Sequence, residues 1–190
     1  MYEVADDPYC YPGTDILRNK RDLRSGEALA EFELAMVSQR AEEPLPNGRF
    51  GVAHYRAVHR HLFGDVYDWA GKTRRIRLQK GDSVFCYPEN IDGELKKLFD
   101  GLKQANFLRD LAPEKFVKGA ASFLTTLNAI HAFREGNGRT QLTFLALLAS
   151  HAGEPLHLED LREKDFLEAM IASFKGNEAL LRAELLRMTI

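Results

Sequence analysis

From residue 113 to residue 130 the chain places apolar side chains at helical spacing. Phe116, Ala120, Phe123, Leu124, Leu127 and Ile130 fall on one face, the i, i+4, i+7 pattern of an amphipathic helix. Pro113 opens it at a favoured first-turn position. A stripe that long must be covered by other elements, and the sequence supplies mostly helices. One fits 26–43, with Leu29, Phe32, Leu34, Ala35 and Val37 loosely grouped, and is ended by Pro44 to Gly48 (PLPNG). Another fits 52–63, stopped by Gly64. Ile91, Leu95, Leu98, Phe99 and Leu102 mark a third. Further helices fit 139–150, ended by Gly153 and Pro155, then 163–174 and 178–188. The stretch TRRIRLQKGDSVFCYP, about 73–88, is different: Ile76, Leu78, Val84 and Phe85 flank a Gly81-Asp82 turn, which suggests a short β-hairpin. The expected fold class is mainly α, a helical bundle with one short hairpin, in a single domain over 1–190.

Composition narrows the function classes. Hydrophobic residues make up 45% and charged residues 28% of the 190 residues, enough to build a core. A net charge of −2 gives no footing for nucleic-acid binding. Two cysteines, Cys10 and Cys86, are too few for a disulfide framework, so a reduced, cytoplasmic protein is expected. The N-terminus MYEVADDPYC lacks the basic start and apolar run of a signal peptide. No apolar run approaches the ~20 residues that span a bilayer, so no membrane partner is expected.

The chemistry concentrates in HAFREGNGRTQL, from His131 to Leu142. The layout is helix, histidine, short loop, helix. Gly136, Asn137 and Gly138 precede the second helix, where glycine lets main-chain N–H groups approach a ligand. A helix N-terminus adds free N–H groups and partial positive charge, a nest for phosphate. Arg139 can contribute a charge-assisted contact. Glu135 beside a phosphate makes sense if Mg²⁺ lies between them. His131 can accept a proton near neutral pH. The conjunction points to metal-assisted phosphoryl-type transfer. It is neither a GxxxxGK[ST] loop nor GxGxxG.

HAFREGNGRTQL resembles the Fic signature HxFx[DE]GNGRxxR, with His131, Phe133, Glu135, Gly136, Asn137, Gly138 and Arg139 all matching. YPGTDILRNK near the start, VYDWAGKTR (Val66 to Arg74) and the stretch around Lys80-Gly81 also look like Fic proteins. The resemblance implies a Fic-fold helical bundle with a hairpin flap at about 73–88 and an active-site loop at 131–139. It implies a protein adenylyltransferase that moves AMP from ATP to a Tyr, Thr or Ser hydroxyl of a target protein. His131 would be the general base and Glu135 the Mg²⁺ ligand. Gly136, Asn137, Gly138 and Arg139 would hold the phosphates. Phe133 would anchor the loop in the core. Thr140, Gln141, Lys80, Gly81, Arg18 and Asn19 are further nucleotide candidates by the same resemblance. The flap would present the target by strand addition. Tyr67 and Trp69 read as core residues.

Two positions depart from the pattern: Ala132 stands where proline is common, and Leu142 replaces the final arginine. That arginine would hold the terminal phosphate and pair with an inhibitory glutamate. The inhibitory pattern [ST]xxxE[GN] is not matched: Ser38 and Glu42 are followed by Glu43, and Ser150 and Glu154 by Pro155. The resemblance therefore implies a separate antitoxin-like partner, and a bacterial toxin or an effector delivered into a host cell. The alternatives are a Doc-like phosphotransferase, whose branch carries lysine where Gly138 stands, and a non-catalytic binding module on the same fold.

Overall fold

The computed structural model describes residues 7–81 and 83–189. Seven α-helices follow in chain order: α1 Gly26–Glu42, α2 Val52–Phe63, α3 Ile91–Gln104, α4 Pro113–Ile130, α5 Asn137–Ala152, α6 Glu163–Phe174 and α7 Ala179–Thr189. The two short strands β1 Gln79–Lys80 and β2 Ser83–Val84 lie between α2 and α3.

The apolar stripe read from the sequence is the centre of the molecule. Phe116, Leu124 and Leu127 of α4 are completely buried, each side chain contributing roughly 1.5–3 kcal/mol by leaving water. One continuous apolar cluster draws on all seven helices. Local chemistry sets the helix ends. Pro113 occupies the first turn of α4, Ser25 accepts from the Ala28 amide to cap α1, and Gly153 ends α5 in the left-handed region at φ 89°.

The structure corrects several sequence expectations. Leu34, counted in the apolar face of α1, is 65% exposed, whereas Leu29 and Val37 are buried. Helix α5 begins at Asn137 instead of Arg139. Gly136 adopts φ 78° immediately before it, and the Thr140 amide already donates to the Gly136 carbonyl, so Asn137 and Gly138 belong to the first helical turn. The hairpin is far shorter than 73–88. Only Gln79 with Val84 and Lys80 with Ser83 pair, extended by one Phe85 N–H to Leu78 carbonyl bond. Asp82, expected in its turn, lies outside the described residues, as do positions 1–6 and 190. Both Cys10 and Cys86 are free thiols.

The first half of the hairpin region is held by a side chain. Arg74 is 2% exposed. Its guanidinium donates to the carbonyls of His131 (2.7 Å), Ile76 (2.5 Å), Cys86 (2.6 Å) and Ile130 (3.2 Å). Its main-chain N–H donates to Ala132 (2.9 Å), and the Cys86 N–H donates to Ala129 (3.0 Å). Both feet of the flap are therefore tied to the end of α4. Lysine has one donor centre in place of a planar fork. Arg74→Lys is expected to lower the unfolding free energy by about 3 kcal/mol, because buried carbonyls lose their donor. Urea unfolding checks this; a loss below 1 kcal/mol would contradict the role given to Arg74.

Candidate active site

His131 ends α4 with φ 48° and ψ 62°, a left-handed conformation uncommon outside glycine. Its amide still donates to the Leu127 carbonyl at 3.1 Å. The conformation turns the chain sharply into the loop, as non-glycine residues held this way often do at functional sites. The ring stacks on Phe85 at the flap exit, with centroids 3.8 Å apart and planes 16° apart. Phe85 in turn meets the edge of Phe174 from α6. Burial pushes the imidazole pKa down to about 3, the Arg74 guanidinium adds to this, and the Asn128 main chain opposes it. His131 is therefore neutral throughout the physiological range, the state a proton acceptor requires.

Asn137 closes the loop between the two helices. Its side chain donates to the Phe133 carbonyl (2.7 Å) and accepts from the Phe133 N–H (2.9 Å). Phe133 is completely buried, 5.2 Å from Tyr55 and 3.8 Å from His59 between ring centroids. The side chain of Asn137 is thus spent on the loop, and only its main chain can serve a ligand. The amides of Asn137, Gly138 and Arg139 open α5, where a helix has no carbonyls of its own to offer them. At Gly136 a Cβ would come within 2.3 Å of the Phe63 ring, and its positive φ disfavours any side chain.

Glu135 has a side chain 32% exposed, and one oxygen accepts from the Gly136 N–H at 2.9 Å. Its carbonyl accepts from His59 Nε2 at 3.0 Å. His59 Nδ1 accepts from the Gly71 N–H at 2.8 Å, so the ring carries its proton on Nε2. Burial lowers the His59 pKa to about 4, which keeps this neutral tautomer in place. Arg139 reaches Glu33 of α1 at 2.6 Å and lies 3.8 Å from Glu135.

These residues open onto a cavity of about 660 Å³. Its lining brings together Lys80, His131, Glu135, Gly136, Asn137, Gly138, Arg139, Gln141 and Leu142, all singled out in the sequence. Helix α6 closes one side with Phe166, Leu167, Met170, Ile171 and Phe174; Leu167 and Ile171 remain 55% and 48% exposed. A larger, more open cleft of about 1580 Å³ runs past Arg56, Arg60 and Trp69 and takes in none of the signature residues.

Four candidates fall elsewhere. Thr140 is fully buried, its hydroxyl on the Gly136 carbonyl at 2.8 Å. Arg18 Nε donates to the Cys10 carbonyl at 2.9 Å. Asn19 is used up by a local turn, donating to Leu17 and Leu23 and accepting from Arg21 and Leu23. Gly81 is exposed at the hairpin turn with φ 55° and is absent from the cavity lining, which takes its neighbours Lys80 and Ser83. The sequence reading missed Arg74, His59, Glu33 and the α6 wall. Arg74 sits in the VYDWAGKTR stretch that resembles the family, which was the available signal for it.

The protonation state of His131 has a thermodynamic consequence. Its folded pKa is depressed, so the unfolded chain binds a proton that the native state refuses between about pH 6.5 and 4. The contribution is present above the unfolded pKa and is lost as pH falls. His131→Asn, which tolerates the left-handed backbone, should reduce the pH slope of unfolding free energy by about 1.4 kcal/mol per unit in that window. An unchanged slope in urea titrations at pH 4 to 6.5 would contradict the buried neutral assignment.

Comparison with known proteins places these residues in context. A Fic/DOC family model matches residues 49–149. The chain is 52% identical to a probable protein adenylyltransferase, y4lH, of Sinorhizobium fredii, over 98% of each protein. It is 34% identical to the protein adenylyltransferase VbhT of Bartonella schoenbuchensis, covering all of this chain and 41% of that protein. Among solved structures, the translocated effector BepC of Bartonella tribocorum, with bound AMPPNP, superposes with a TM-score of 0.85 at 28% identity, over 96% of each chain.

Proposed function

The chain belongs to the Fic/DOC family, and from that membership we propose that it is a protein adenylyltransferase, moving AMP from ATP to a hydroxyl of a target protein. The observation that carries the reading is the neutral, buried His131 lining one cavity with the N-terminus of α5 and the flap residues Lys80 and Ser83. The relative named as an adenylyltransferase over nearly the whole chain supports the same activity, and a neighbour with a bound ATP analogue supports a nucleotide donor.

In this reading the acceptor hydroxyl gives its proton to His131. The oxygen attacks the α-phosphorus, the bond to the β-phosphate oxygen breaks, and pyrophosphate leaves with that electron pair. The amides opening α5 and the Arg139 guanidinium receive phosphate charge. Lys80, exposed on the flap beside the cavity, adds a cation from the other side. Gln141 lines the floor, while Thr140 supports the turn from below. Leu142 lines the cavity without charge. Among the described residues no group of three or more His, Cys, Asp or Glu side chains is arranged to hold a metal by itself. The carboxylate of Glu135 fits Mg²⁺, which takes one or two carboxylates and completes its shell with phosphate oxygens and water. Glu135 would hold the ion, which would neutralise phosphate charge when bound.

The target is read as a protein segment laid against the short, exposed edge of the flap. The unbroken apolar core supports treating 1–190 as one domain. The unmatched inhibitory pattern supports control by a separate small partner. The translocated Bartonella effectors among the structural neighbours support action on proteins of another cell. Among the described residues, no helix is long and apolar enough to cross a membrane.

Intact mass spectrometry with Mg²⁺ and ATP tests the proposal, on hydroxyl-bearing candidate proteins and on the chain itself. The expected result is a gain of one AMP, lost in His131→Ala. A gain of one phosphate would transfer the chain to the Doc-like phosphotransferase branch. No gain in wild type, with a gain in Leu142→Arg, would mean that Leu142 has disabled ATP use.

A further inference from the structure

Arg139 is held by two groups that the signature does not contain. Its guanidinium lies 4.7 Å over the Phe63 ring. One nitrogen donates to Glu33 Oε1 at 2.6 Å. The other oxygen of Glu33 accepts from the Tyr67 hydroxyl. Glu33 is largely buried, its side chain 13% exposed against 40% for Arg139. Tyr67 is 2% exposed and stacked on Trp69 with ring centroids 4.3 Å apart. Burial and the Glu33 charge raise the Tyr67 pKa, so its hydroxyl stays a donor. The order is Trp69 against Tyr67, Tyr67 to Glu33, Glu33 to Arg139, and Arg139 into the cavity.

We propose that Glu33 is a positioning residue for phosphate transfer, fixing Arg139 in the orientation that receives charge as the transferred phosphoryl group changes hands. This rests on the reading that the cavity transfers AMP. A guanidinium has five N–H donors in a rigid plane. Glu33 engages one nitrogen and Phe63 one face, which restricts rotation while leaving further donors for a phosphate. Without such a hold, Arg139 would sample several rotamers, and orientation would have to be established during each turnover.

The carboxylate also has an opposing effect: its negative charge repels an incoming nucleotide. Two consequences of removing it therefore compete in nucleotide binding, namely lost orientation and lost repulsion. In turnover the orientation effect dominates, because transition-state stabilisation depends on donors already in place. Glu33 should accordingly act on kcat more than on KM. A carboxylate that merely braces α1 would not produce that split, nor would it depend on Arg139.

The experiment is steady-state AMP transfer by wild type, Glu33→Gln, Arg139→Ala and the double variant, with melting temperatures measured in parallel. Glu33→Gln is expected to lower kcat about tenfold, in the range of supporting contacts around other charged sites, with KM for ATP changed less than about threefold. In the Arg139→Ala background the same substitution should have no further effect on kcat, because the two act as one unit. Tyr67→Phe, which keeps the ring packing, should lower kcat in the same direction by a smaller factor. An unchanged or raised kcat in Glu33→Gln, or a double variant whose losses multiply, would overturn the inference. A wild type that transfers no AMP would overturn both the proposed function and this inference. Normal wild-type transfer with an unaffected Glu33→Gln would overturn this inference alone.

Discussion

A buried guanidinium holds the active region together. Arg74 donates to the carbonyls of Ile130 and His131 at the end of α4, and to Ile76 and Cys86 on the two feet of the flap. The end of a helix leaves carbonyls without partners and carries partial negative charge. A cation placed there satisfies both needs, and a guanidinium stays charged at any working pH. Its desolvation is costly; the carbonyls it bonds would be buried without donors in its absence. The same charge also disfavours a second proton nearby, so it contributes to keeping His131 neutral. Geometry and protonation at the histidine thus share one source.

A second layer of contacts turns the loop from a connection into a fixed shape. Asn137 bonds both main-chain groups of Phe133, and Phe133 packs against Tyr55 and His59 in the core. His59 connects three separate pieces: α2 through its own backbone, the turn at Gly71, and the Glu135 carbonyl. Near the N-terminus, Asp7 meets Arg134 in a pair with both side chains 7% exposed. The main-chain donors at the start of α5 are therefore held in position before any ligand arrives, the arrangement that electrostatic catalysis exploits.

Much of this was legible in the sequence, and the parts that were not share a cause. Helices α2, α3, α4 and α6 follow apolar periodicity and clear breakers, so local patterning defined them. The nearly continuous motif from His131 to Arg139 exposed the chemistry because its members are neighbours in the chain. Arg74, His59 and Glu33 meet their partners across 57, 76 and 106 residues, and contacts at that range leave no period. The hairpin was overextended because alternating residues before Lys80 look like a strand, while a side chain, not a ladder, holds them. Thr140 and Asn19 have polar groups that serve the backbone, a use that residue type alone does not distinguish from ligand binding.

Phe63 occupies an unusual position in this arrangement. The same ring lies under the Arg139 guanidinium, stacks on His59 and fills the space that a Cβ at Gly136 would need. It is therefore a common gauge for the spacing of the motif. A larger residue at 136 displaces the ring, and with it the seat of the arginine. A smaller residue at 63 frees the glycine and unseats the arginine together. Variation at these positions is tied, so evolutionary drift at any one of them should be permitted only when the others move in concert.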